Sequence, residues 1–155
     1  MTITTETLRT WSEQLCTLPP VDLAAAVTAL GLTGSLVGKS DDYAIVEPPP
    51  GGATRLGLSR ENLGKNKGNL GTLEITLAGT AVTRAELDRR FGAGNLLPRV
   101  DYDREYVVSY QVEVAGAGFR CTVFASFAED PAAASAATKI NLRRDVVRSP
   151  GAAPR

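Results

Sequence analysis

The sequence predicts an α+β fold of two tandem repeats, each a helix followed by an antiparallel three- to four-stranded meander, with the helices on one face of the sheet. Three observations carry this prediction. Residues 21–31 and 82–92 are two helix-like stretches that align with one another, and each is followed by a loop and strand-like runs, so that 21–77 is matched by 82–142. Tyr106, Val108, Tyr110, Val112 and Val114 alternate with Val107, Ser109, Gln111 and Glu113, the period-two signature of a strand with one apolar face. Phe119, Cys121, Val123, Ala125 and Phe127 repeat that alternation after a Gly116-Ala117-Gly118 turn, which makes the two runs a hairpin.

Element by element, Leu8, Trp11, Leu15 and Leu18 recur at helical spacing, with Thr4 or Thr5 placed to cap the start and Pro19-Pro20 to end it. A second helix begins at Asp22, whose carboxylate can accept from the free amides of the first turn, and buries Leu23, Ala26, Val27 and Leu30 before Gly31. The helix of the second half opens on Thr83-Arg84-Ala85-Glu86, a capping box, with Val82 and Leu87 placed as a hydrophobic staple. Ile140 and Leu142 point inward from a third strand, matched in the first half by Leu73, Ile75 and Leu77, and weaker strands are predicted at 43–46 and 55–59. Alternation of this kind describes a sheet covered on one face only. The expected organisation is residues 1–79 as the first repeat with its N-terminal helix, 80–148 as the second, and 149–155 as a disordered tail without apolar anchors.

Composition narrows the function. With 17 Lys and Arg against 17 Asp and Glu, there is no net field to hold a phosphate backbone, which argues against nucleic acid as a partner. The chain has no histidine, so the usual general base near neutral pH is missing, and an enzyme is disfavoured. No apolar run reaches membrane-spanning length and no leader-like segment opens the chain, so a cytoplasmic protein off the membrane is expected. Cys16 and Cys121, far apart in sequence, are expected as two buried thiols rather than one disulfide.

Candidate chemistry is sparse. Residues 34–40 end in Gly38-Lys39-Ser40 like a phosphate-binding loop, but three residues rather than four separate the glycines, and the segment runs from helix to strand, so a plain connecting loop is expected. Gly64-Lys65-Asn66-Lys67-Gly68 is flexible enough to form an anion nest, although a hairpin loop is the simpler expectation. Asp101, Asp103 and Glu105 alternate ahead of a strand and are the weak candidates for a hard cation; no calcium-loop glycine and distal glutamate accompany them, so neither a metal nor a cofactor is predicted.

The sheet face opposite the helices is the more promising surface. It would carry Ser109, Gln111, Glu113, Arg120, Thr122, Lys139, Asn141 and Arg143, with Phe124 and Val107 among them, and Tyr43, Tyr102 and Tyr106 at the adjoining loops. Aromatic and arginine side chains ringed by polar groups are the composition of a protein-binding hot spot. The helix ending at Phe91-Gly92, the loop through Leu97-Pro98 and the three strands that follow resemble the layout of the β-lactamase inhibitor protein family and of single-unit outer-membrane assembly lipoproteins. That resemblance covers most of the chain and implies a protein-binding sheet with active edge loops, which here implicates Asp41, Asp42, Tyr43 and Tyr102. The chain departs from secreted members in its cysteines and its missing leader, which favours an intracellular partner, such as a toxin met by an immunity protein. Gln111, Arg120, Phe124 and Arg143 complete the expected partner-binding set. The alternative is a small-molecule carrier or small enzyme with a carboxylate- and tyrosine-lined pocket between helices and sheet, using Asp101, Asp103, Glu105 or Tyr110.

Overall fold

Three N-caps set where the helices begin. Thr4 accepts from the Thr7 amide and Thr7 reaches back to Thr4, opening α1 (Thr5–Thr17). The Asp22 carboxylate accepts from the Ala25 amide at 2.8 Å and opens α2 (Leu23–Ala29), and Thr83 accepts from Glu86 to open α3 (Arg84–Phe91). Val82 and Leu87 are both buried beside that last cap, as the staple requires. The structure is a computed structural model that describes residues 2–78, 82–100 and 104–146.

Between and after the helices run β1 (Ser35–Gly38), β2 (Tyr43–Glu47), β3 (Ala53–Arg60), β4 (Leu70–Leu77), β5 (Asn95–Leu96), β6 (Tyr106–Val112), β7 (Phe119–Phe127) and β8 (Lys139–Val146). They form one eight-stranded antiparallel sheet in the order β1-β2-β3-β4-β8-β7-β6-β5. The α+β class is as the alternation predicts, but the sheet is larger than a three- to four-stranded meander. At its centre Leu73 faces Leu142 and Ile75 faces Ile140 across β4 and β8, so the inward residues of both halves meet in one core. Two strands lie where no strand is expected. β1 occupies the segment predicted as a plain loop, because Leu36 and Val37 complete a ladder with Val46 and Ile45, and β5 is a two-residue pairing with β6.

The helices all lie on the face that bears Leu56, Leu58, Ile75, Val123, Ile140 and Leu142. α1 lies mainly on β7 and also touches β6, β8 and α3; α2 lies on β3. Leu8, Trp11 and Leu15 of α1 are at most 2% exposed, and burying each such side chain contributes roughly 1.5–3 kcal/mol. The Trp11 indole N–H donates to the Leu30 carbonyl at 3.2 Å, tying α1 to the end of α2. Arg90 holds the Glu6 carboxylate with two hydrogen bonds of 2.7 and 3.1 Å, linking α3 to α1 and drawing the Glu6 carboxyl below its usual pKa.

The cysteines correct an expectation. Cys16 on α1 and Cys121 on β7 form a disulfide with their Cα atoms 5.7 Å apart. Both were placed inward by their patterns; docking α1 on β7 brings them within bridging distance, which sequence separation alone does not reveal. Among the described residues no helix is long and apolar enough to cross a membrane. The predicted disordered tail at 149–155 lies outside the described residues.

Candidate interaction face

Strand register decides which side chains share the helix-free face. One row across the sheet runs Tyr43, Ser59, Thr72, Arg143, Thr122 and Gln111. The next runs Ile45, Gly57, Glu74, Asn141, Phe124 and Ser109 and ends at Asn95. Tyr43, Gln111, Phe124 and Arg143, four of the predicted partner-binding residues, therefore lie in two adjacent rows. Arg120 sits on the same face of β7, across from Asp145.

Each half of the face carries an aromatic ring under an arginine. The Arg143 guanidinium lies 5.1 Å from the Phe124 ring centre and also donates to Asp145 at 3.1 Å. Arg55 lies 5.3 Å from the centre of the Tyr43 ring. Such stacking contributes about 0.5–1 kcal/mol at exposed sites and keeps a long side chain in one orientation. The Tyr43 side chain leans over Gly57, where a Cβ would overlap the phenol. Glycine in the middle of a strand is here the floor on which the ring lies.

Between the two aromatic pairs, at the β4/β8 seam, Asn141 faces Glu74. The Asn141 side-chain oxygen is buried and makes no hydrogen bond within the described protein. Thr122 and Ser126, although on this face, are only 5% and 3% exposed. Gln111, Arg120 and Arg143 are exposed, and Phe124 is half-buried. The surface is thus a low floor of hydroxyls and glycine with two fixed rings and exposed charge of both signs.

The remaining predicted residues fall elsewhere. Asp41 and Asp42 are exposed in the β1–β2 turn, and their carbonyls accept from Arg60, the Asp41 carbonyl from the guanidinium and the Asp42 carbonyl from the amide. Tyr102, Asp101 and Asp103 lie outside the described residues. Glu105 stands 4.0 Å from the Lys139 ammonium, and among the described residues no three acidic or cysteine side chains gather as metal ligands would. Tyr106 is not on the open face: its register places it with Val108 and Tyr110 on the helix side, beneath the Arg99 guanidinium at 3.8 Å. Tyr110 donates its hydroxyl to Asp88 on α3 at 2.7 Å and is 2% exposed, so it braces helix against sheet.

Arg55, Ile45 and Gly57 complete the face and were not singled out by the sequence. The signal was an alternation of Arg55, Gly57 and Ser59 with Leu56 and Leu58, short enough to pass as a weak strand. No family model, curated protein or solved structure matches the chain.

Proposed function

We propose that the protein is a non-catalytic binding module that grips a protein partner with the helix-free face of its sheet, in the manner of an inhibitor or immunity protein. The observation that carries this proposal is the arrangement around Asn141: an unpartnered buried acceptor at the centre of a bare eight-stranded face, flanked by two arginine-braced aromatic rings. Rigid aromatic and arginine anchors around a site that lacks a donor are what an interface needs from one side. The mixed charge of the face supports a polar, folded partner rather than nucleic acid. Duplication of a helix-plus-four-strand unit accounts for the layout, supported by α2 and α3 each preceding four strands that pair in chain order. The likeness to the β-lactamase inhibitor protein family belongs to this proposal as a likeness of layout. A cytoplasmic partner is part of it too, and the redox state of the cysteine pair tests that location.

The experiment is capture of partners from host extract with the wild-type protein, with Phe124→Ala and Arg120→Ala, and with Glu13→Ala on the exposed side of α1 as control. A stoichiometric protein retained by wild type and the control but lost from both face variants is the expected result. A partner that binds all four proteins equally would place its contact elsewhere and remove the proposal.

A further inference from the structure

On the helix side, away from the open face, the turn after α1 faces the loop between β3 and β4 across a pocket of about 310 Å³. Its apolar walls are Leu18, Pro19, Pro20, Phe119 and Val146, and its polar lining residues include Lys65 and Asn66. The volume lies in the range of small-molecule sites.

Asn66 is the unusual member. It is 2% exposed, and its side-chain N–H donates to the Leu70 carbonyl at 2.9 Å, which fixes the orientation of the amide because only the nitrogen can face an acceptor. The amide oxygen is then left buried with no donor among the described residues. A buried acceptor without a donor is a standing cost that a ligand's N–H or O–H would remove.

The charge around the pocket has one sign. Lys65 is exposed at its rim, and none of the lining residues is acidic. Behind Phe119 lies the Arg144 guanidinium, 3.7 Å from the ring centre and 1% exposed, held by the Leu15 and Pro19 carbonyls and facing no carboxylate among the described residues. A positive group behind an aromatic wall and another at the mouth favour an anionic ligand, and flat proline and phenylalanine walls favour a ring.

We propose that this pocket binds a small aromatic carboxylate that carries its own N–H or O–H, the ring lying against Pro19, Pro20 and Phe119, the donor meeting the Asn66 oxygen and the carboxylate meeting Lys65. The site stands apart from the open face and does not depend on the function proposed for it. Indole-3-acetate, which combines these three features, is the probe. Titrated into isotopically labelled protein, it should give saturable amide shifts at Lys65, Asn66, Gly118 and Phe119. Lys65→Ala should weaken binding about tenfold, and naphthalene-1-acetate, which lacks the N–H, should bind the wild type about tenfold more weakly. No saturable shift at millimolar probe would overturn the proposal, and so would binding that neither the Lys65 variant nor the naphthalene analogue alters.

Discussion

Arg144 breaks the alternation of its own strand, standing at an inward position between Leu142 and Val146 where an apolar residue is the rule. Burial alone drives its pKa down to about 10, and the Leu15 carbonyl in the last turn of α1 and the Pro19 carbonyl just beyond it offset part of that cost. Tyr110 shows the opposite sign. Burial first and the Asp88 carboxylate second raise its phenol far above the usual 10.0. The folded protein therefore keeps a proton that the unfolded chain releases. The stabilisation is complete below pH about 10 and is lost as the pH rises beyond it. Tyr110→Phe is expected to cost about 1 kcal/mol at neutral pH, by loss of the hydrogen bond to Asp88, and to flatten the fall of stability above pH 10. Urea midpoints for both proteins from pH 7 to about 11 check this; an alkaline limb of unchanged steepness would assign it to other groups.

Among the elements, the disulfide ties α1 to β7 through two cysteines 105 residues apart in sequence. A loop of that size restricts the unfolded chain by about 4–5 kcal/mol on the chain-entropy model, so Cys121→Ser is expected to lower the urea midpoint by a corresponding amount. Disulfides persist in oxidising compartments and are rare in the cytosol. Maleimide labelling after acid quenching and denaturation of fresh host extract, which opens the buried pair to the reagent, therefore reports location: labelled thiols agree with the proposed cytoplasmic setting, and an unlabelled pair points to an exported protein. The helices were legible in the sequence because caps are local: Thr4, Asp22 and Thr83 each act within three residues of themselves. The strands β6, β7 and β8 were legible because alternation is local as well. β1 and β5 were not, since four and two residues carry too little pattern and gain their status from the ladders they join. The cysteine bond was hidden for the same reason, being set by how α1 docks and not by any neighbour in sequence.

At the scale of the whole molecule, the helix that begins the chain lies on strands near its end, and β4 pairs with β8 across the middle. The face side chains of the second half could be read one strand at a time. Their union with Tyr43 and Arg55 in shared rows needed the register of five intervening pairings, which no periodicity supplies. A fragment of residues 1–79 would leave α1 without β7 and β4 without β8, exposing Leu8, Trp11, Leu15, Leu73 and Ile75. It is expected to show no cooperative unfolding, while the full chain melts in one transition with matching calorimetric and van't Hoff enthalpies. Two resolved transitions in the full chain would mean that the halves fold independently.

The sheet is also longest at its middle and shortest at its margins. β7 spans nine residues, whereas the outermost strands β1 and β5 span four and two. Unpaired strand borders are where foreign chains add themselves and where fibres begin; here one border is the four-residue β1, and at the other the two-residue β5 covers Val108 and Ser109 of β6. Short outer strands limit lateral growth, so the partner proposed above would meet the sheet broadside.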